Sequence, residues 1–260
     1  MLFSDRPRAH YQNPPVHEAI CQLRFPTILS INQKEPAEFQ EDIREVFPQY
    51  ARRQDMPAPK LTGLGTPNVQ VETPPPVTNY HFLSADGVWK INLTRDFIAL
   101  STLRYPGWEE FAHHLDRPLA AFIRLYHPAY FQRVGLRYRN FVSRARLGLQ
   151  GTPWTKLISA PYTGPLGETD VAEDRVSQYG LDLTMQLDSS CKVKIHAGPE
   201  RLKNAGQNGD TEMRFGLDLD LFMGGNVPCT LAAAALETLH GHADRVFEGA
   251  ITDTLRDAMQ

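Results

Sequence analysis

Residues 130–142 read YFQRVGLRYRNFV, and apolar and charged side chains alternate along this stretch. A period of two residues is the pattern of a half-buried β-strand, because successive side chains of a strand point to opposite faces. The predicted inner face of this strand carries Val134, Leu136, Tyr138 and Val142. The predicted outer face carries Arg133, Arg137 and Arg139. The stretch therefore predicts a sheet with one apolar side and one charged side.

The same alternation recurs along the chain and predicts further strands of a sheet with one wet face. The predicted strands span residues 16–25, 96–103, 178–188, 191–196 and 212–222. An Asp86-Gly87 dipeptide between two alternating runs favours a two-residue hairpin turn. Pairing across that turn places Phe82 opposite Ile91.

Apolar residues at helical spacing predict helices that cover the apolar side of the sheet. One helix is expected over residues 36–53, and a second opens within residues 105–111, with Pro118 kinking or dividing it. A long helix or broken helix pair is expected over residues 227–259, interrupted at Gly241. The predicted fold class is α+β, with one or two antiparallel sheets and helices on the apolar face.

Both halves of the chain follow one order of elements, β-α-β-β-β-α. Residues 1–126 form the N-terminal α+β half, and residues 127–260 form the C-terminal half with the terminal helix. Leu23-Arg24-Phe25 and Leu136-Arg137-Tyr138 occupy equivalent places in the two halves. The pattern is consistent with an internal duplication within one compact unit.

The composition is that of a globular protein. Hydrophobic residues make up 42% of the 260 residues and charged residues 22%, which excludes disordered, collagen-like and coiled-coil classes. The formal net charge is −3, so no overall field attracts the chain to nucleic acid or an anionic membrane. Any basic site must therefore be local.

The cysteines and the apolar runs indicate the compartment. Cys21, Cys191 and Cys229 are far apart, with no second Cys or His at ligand spacing. This predicts neither a disulfide framework nor a structural zinc site. No stretch approaches the roughly 20 apolar residues of a membrane span, and residues 1–10 lack the apolar run of a signal peptide. We expect a cytoplasmic protein with no membrane association.

Several motifs of the sequence resemble a known family. They are PPVHEA at 14–19, RDFIAL at 95–100, YPGWEEF at 105–111, RVGLRYRN at 133–140 and FEGAITD at 247–253. Together they resemble a sporadically distributed, uncharacterised bacterial protein family of about 260 residues. The resemblance covers nearly the whole chain and implies a bacterial or archaeal cytoplasmic protein, without implying an activity. A patchy distribution is typical of accessory or mobile systems such as phage defence. Members of the family usually have Ile where Arg139 stands here, so the arginine face is stronger in this chain.

Four arginines form the candidate anion-binding site: Arg24, Arg133, Arg137 and Arg139. Guanidinium groups stay charged and offer planar donor pairs, so four of them on one surface can hold a phosphate or a carboxylate. The alternative is that these arginines form cross-strand ion pairs on a solvated sheet. The acids available for such pairs are Glu18, Asp182, Asp218 and Asp220.

Asp218 and Asp220 lie two residues apart and share one strand face, so with Asp182 they are the weaker candidate for a Mg²⁺ site. The glutamate-rich first strand of triphosphate-processing tunnels is absent, because residues 16–25 supply only Glu18. We therefore predict no cofactor.

A second basic row could follow a nucleic-acid backbone, and it consists of Lys192, Lys194 and His196. Pairing across the turn at residues 188–190 would place these side chains opposite Gln186, Thr184 and Asp182, on an ordinary polar surface. This interpretation is favoured over nucleic-acid binding.

The first functional hypothesis is a non-enzymatic binding or assembly subunit of an accessory system. It would recognise a protein partner, a second copy of itself or an anionic small molecule through the arginine face. The second is a metal-dependent phosphoester or triphosphate hydrolase that uses the three aspartates, and the third is nucleic-acid binding. The sequence has no Ser-His-Asp ordering, phosphate loop or dinucleotide fingerprint that would favour an enzyme.

Overall fold

A computed structural model of the chain describes residues 2–7, 9–62, 70–201 and 212–260. The strands of these residues are β1 (Val16–Arg24), β2 (Gln49–Asp55), β3 (Lys60–Thr62), β4 (Gln70–Glu72), β5 (Val77–Leu83), β6 (Trp89–Leu93), β7 (Phe97–Thr102), β8 (Phe131–Val142), β9 (Leu181–Gln186), β10 (Cys191–Glu200) and β11 (Arg214–Val227). The helices are α1 (Ala37–Ile43), α2 (Trp108–Tyr126), α3 (Trp154–Leu157), α4 (Ala160–Thr163), α5 (Ala232–Ala250) and α6 (Asp253–Met259).

In the described residues, nine strands form one sheet in the order β2-β5-β6-β7-β1-β8-β11-β10-β9, and β3 pairs with β4 separately. Neighbouring strands of the large sheet are antiparallel. The register of β5 and β6 places Phe82 opposite Ile91, as predicted. The turn itself differs from the expected two-residue turn: Gly87 N donates to Ser84 O, Ser84 N donates to Trp89 O, and Gly87 has a positive φ whereas Asp86 does not. The α+β fold class is confirmed.

The two faces of the sheet differ in what covers them. The inner face packs against α2 and α5. On this side the centres of the Phe25 and Phe122 rings are 4.6 Å apart, and Leu136 is fully buried. The outer face carries the alternate residues, among them Arg137, whose side chain is 45% exposed. A strand with one side in the core and one side wet explains the two-residue period of the sequence.

The sheet order relates the two halves of the chain. The meander β5-β6-β7 returns so that β7 lies beside β1, and the meander β9-β10-β11 returns so that β11 lies beside β8. α2 follows the first meander as α5 follows the second. The predicted order of elements therefore recurs, with β2 added at one edge. The division between residues 126 and 127 stays a prediction, because β1 pairs with β8 and makes the sheet continuous across it.

The expected helix over residues 36–53 is wrong in its second half. α1 ends at Ile43, and residues 49–55 form β2, which pairs with β5 at one edge of the sheet. Pro48 disfavours helical backbone at Phe47, and that side chain is fully buried. The helical pattern before Pro48 therefore does not continue beyond it, and residues 49–55 join the sheet.

The two other helix breaks also differ from expectation. α2 runs through Pro118 undivided, and α5 continues past Gly241. The C-terminal break falls instead at Ile251, which bridges to Ile158, and Thr252 caps α6 by accepting the Leu255 N–H at 3.4 Å. The bridge between Ile251 and Ile158, rather than Gly241, therefore sets the end of α5. None of the described helices has the length and apolar character that a membrane crossing requires.

Candidate functional site

The structure places the four candidate arginines together on the outer face. Arg24 on β1 lies directly opposite Arg133 on β8, and Arg137 and Arg139 follow at alternate positions of the same strand. Residues paired in register across neighbouring strands point to the same side of a sheet. We use the term charged sheet face for the twelve charged residues that β1, β8, β9, β10 and β11 place on this side: Glu18, Arg24, Arg133, Arg137, Arg139, Asp182, Lys192, Lys194, Glu200, Arg214, Asp218 and Asp220.

Three of the arginines form ion pairs, as the alternative interpretation predicted. Arg137 Nε donates to Asp218 Oδ1 at 2.7 Å, and its Nη2 donates to the second carboxylate oxygen. Arg139 lies 3.0 Å from Glu18 and 3.7 Å from Asp218. The hydrogen bond to Asp218 is the main cause that raises the pKa of Arg137 above its ordinary value. These pairs fix the direction of each guanidinium.

Arg133 folds back over its own strand. Its Nη2 donates to Asp220 at 2.6 Å, and its guanidinium carbon lies 4.7 Å from the centre of the Phe222 ring. A Cβ at Gly135 would lie 2.1 Å from Arg133 Nη1, so the glycine leaves the space that the guanidinium occupies. Arg133 is therefore held close to the sheet surface, whereas Arg24 across from it is exposed.

The acids proposed for Mg²⁺ do not meet in the described part of the chain. Asp182 on β9 pairs with His196 at 2.8 Å, and His196 on β10 in turn lies opposite Asp218. An intervening strand therefore separates Asp182 from Asp218 by roughly 10 Å, too far for shared metal ligands. Asp218 and Asp220 are already occupied by arginines, so the geometry gives the metal-dependent hydrolase no support.

The second basic row lies where the hairpin register predicted. Lys192 is opposite Gln186, Lys194 is opposite Thr184, and both lysines are exposed. Lys194 Nζ lies 5.9 Å from the centre of the Phe222 ring, next to Arg133. The two basic rows are thus joined through β11 into one surface.

His81 lies on the outer face in the other half of the sheet and is only 9% exposed. Burial is the main cause that lowers its pKa from the ordinary value of 6.5, and Lys90 and Arg53 lower it further. The unfolded chain therefore takes up a proton more readily than the folded protein, and the free energy of unfolding falls as the pH drops below about 6.5. Chemical unfolding at pH 7 and pH 5 should show a smaller acid loss for His81→Gln than for the wild type. His113→Gln, at an exposed helical position, should keep the wild-type loss, and equal losses in all three proteins would contradict this explanation.

A second site lies on the inner face and was missed by sequence reasoning. It is a cavity of about 110 Å³ bounded by β8, α5, the loop before α2 and residues 9–16. Three residues inside it form a hydrogen-bonded chain: the hydroxyls of Tyr105 and Tyr138 are 3.2 Å apart, and Tyr138 Oη is 3.0 Å from His240 Nδ1. His240 Nε2 lies 3.3 Å from the Asp244 carboxylate. Such a chain can hold a small polar molecule and move a proton along its length.

Glu248, which lines this cavity, belongs to a buried ion pair. Arg256 of α6 donates to Glu248 of α5 through Nε at 3.1 Å and Nη2 at 2.9 Å. Tyr11 also donates to Glu248, and burial is the main cause that raises the pKa of this tyrosine. The sequence shows the spacing of His240 and Asp244, but no local pattern links them to Tyr105 or Tyr138. The signal that could have found the cavity is Tyr138, whose polar hydroxyl stands at an inner position of β8.

Comparison with known proteins gives no further assignment. No protein-family model matches the chain, and no curated protein matches it. The resemblance to the sporadic bacterial family stays a prediction. What the protein does must therefore be inferred from its own geometry.

Proposed function

We propose that this protein is a non-enzymatic binding or assembly subunit of a bacterial accessory system, and that it acts in the cytoplasm. Its charged sheet face binds an anionic surface of a protein partner. The observation that carries the proposal is a local excess of positive charge. The face holds seven cations against five carboxylates, a balance of +2, on a chain whose net charge is −3.

Three cations of the face are available to a partner. Arg24, Lys192 and Lys194 are exposed, and within the described ranges none of them forms an ion pair with a carboxylate. Arg24 also faces the like charge of Arg133 directly across the strand pair. Like charges opposite each other are unfavourable, and an acidic group placed between them relieves the repulsion.

The ion-paired arginines supply the rigid part of the surface. Arg137 and Arg139 share Asp218, so their guanidinium groups are fixed before a partner arrives. A fixed surface loses less conformational entropy on binding than free side chains do. The sheet itself holds the spacing of the charges. The face thus combines a fixed centre with free cations around it.

The proposal predicts that removing the three free cations weakens anion binding without unfolding the protein. The variant Arg24→Gln/Lys192→Gln/Lys194→Gln should bind a fluorescent polyglutamate peptide at least about ten-fold more weakly, because each lost charge contact contributes about 0.5–1 kcal/mol. Fluorescence anisotropy measures the affinity. The melting temperature should stay within about 2 °C of the wild type, since exposed charges contribute little to stability.

A matched control removes the same net charge from positions outside the sheet. The variant Lys34→Gln/Arg44→Gln/Lys156→Gln should keep the wild-type affinity for polyglutamate, because these exposed cations lie outside the sheet. Equal weakening in both triple variants would show a general charge effect and would refute the site. Tighter binding of duplex DNA than of polyglutamate, with a steep salt dependence, would replace the protein partner by nucleic acid.

A further inference from the structure

Metal-binding atoms of three side chains meet where the turn between β9 and β10 touches α5. They are a carboxylate oxygen of Asp188, Sγ of Cys191 and a ring nitrogen of His242, all within 4.8 Å of one another. Asp188 and His242 are 54 positions apart in the sequence, which explains why ligand spacing predicted no such site. The group lies beneath the inner face and is separate from the charged sheet face.

The turn fixes the orientation of the aspartate. Asp188 Oδ1 accepts the backbone N–H groups of Ser190 at 2.7 Å and Cys191 at 2.8 Å. The second oxygen, Oδ2, then points to α5 and lies 2.8 Å from His242 Nε2. Cys191 is fully buried, and the side chain of His242 is 19% exposed. One oxygen thus holds the turn while the other is directed at the imidazole and the thiol.

The donor set selects the class of ion. A thiolate and an imidazole are soft or borderline donors that suit Zn²⁺ and related transition metals, whereas Mg²⁺ and Ca²⁺ prefer oxygen ligands. In a tetrahedral zinc site the ligand atoms lie about 2.0–2.3 Å from the metal, which puts them roughly 3.3–3.8 Å from one another. The three ligand atoms now lie within 4.8 Å of one another, so side-chain movements of about 1 Å would bring them to these separations.

We propose that Asp188, Cys191 and His242 bind one Zn²⁺-class ion, with a water molecule as fourth ligand. On binding, the Cys191 thiol releases its proton to solvent and Sγ bonds the metal as a thiolate, and no electron transfer is involved. The ion cross-links the hairpin turn to the middle of α5. The alternative is a histidine–aspartate ion pair beside a buried thiol, which would bind no metal.

Titration of the 260-residue chain with Co²⁺ distinguishes the metal site from the metal-free ion pair. Co²⁺ replaces Zn²⁺ in tetrahedral sites and gives a thiolate-to-metal charge-transfer band only when a cysteine is a ligand. The wild type should bind one equivalent and show the band. Cys191→Ser should lose the band, and His242→Gln should bind Co²⁺ at least about ten-fold more weakly.

Matched controls separate this site from other cysteines and histidines. Cys229→Ser and His196→Ala should keep both the band and the affinity, because neither residue belongs to the group. Circular dichroism should show that every variant is folded, and Zn²⁺ should raise the melting temperature of the wild type but not of Cys191→Ser. Absence of the band in the folded wild type would overturn the proposal, as would its survival in Cys191→Ser.

Discussion

Arg256→Met is expected to lower the free energy of unfolding by about 3–5 kcal/mol, because it leaves the carboxylate of Glu248 buried without its cation. The Glu248 side chain is only 4% exposed and receives two hydrogen bonds from Arg256. Methionine keeps most of the side-chain volume, so the loss reports the charge and not a cavity. Urea unfolding at pH 7 measures the change.

Two further variants test the reason for this loss. Adding Glu248→Gln to Arg256→Met should recover part of the stability, since the buried group is then neutral. Arg245→Met is the matched control, because Arg245 pairs with Asp5, whose side chain is 92% exposed, and such pairs contribute about 0–1 kcal/mol. A loss for Arg256→Met no larger than for Arg245→Met would contradict the buried ion pair.

Leu136→Ala should cost about 2–5 kcal/mol, whereas Arg137→Ala at the next position should cost about 1 kcal/mol or less. Leu136 is fully buried under the helices, and the Arg137 side chain is 45% exposed on the charged sheet face. Adjacent residues of one strand thus differ because they point to opposite sides of the sheet. Guanidinium chloride unfolding of both variants gives the two values directly.

The ratio of these two losses is the informative quantity. Similar losses for Leu136→Ala and Arg137→Ala would mean that β8 does not have one buried and one wet side. Val134→Ala provides an independent check on the buried side, because that residue is also fully buried in β8. It should also destabilise the protein, with a smaller loss than Leu136→Ala, since it removes two carbon atoms instead of three.

The strands of the central sheet could be predicted because their signal is local. β8 alternates outward arginine or glycine with inward apolar residues over residues 133–139, and the Asp86-Gly87 turn determines the register of the hairpin around it. The shared face of Arg24 and Arg137 follows from the same period once β1 and β8 are adjacent. Local periodicity thus defines the charged sheet face.

The parts that could not be predicted depend on long-range contacts. β2 is an exposed edge strand with little apolar alternation, so only its pairing with β5 identifies it. The cavity brings Tyr105, Tyr138 and His240 together from three elements that no sequence spacing relates. The cluster of Cys191 and His242 has the same origin. These sites exist only after the helices pack on the sheet.

Hydrogen–deuterium exchange with and without polyglutamate tests the central claim most directly, because it locates the bound peptide on the protein. Binding through the charged sheet face should slow amide exchange in β1, β8 and β10, where Arg24, Arg133 and Lys194 lie. The peptides of α2 and α5 should exchange at their unliganded rates. Protection confined to those helices, with the sheet strands unchanged, would contradict the account.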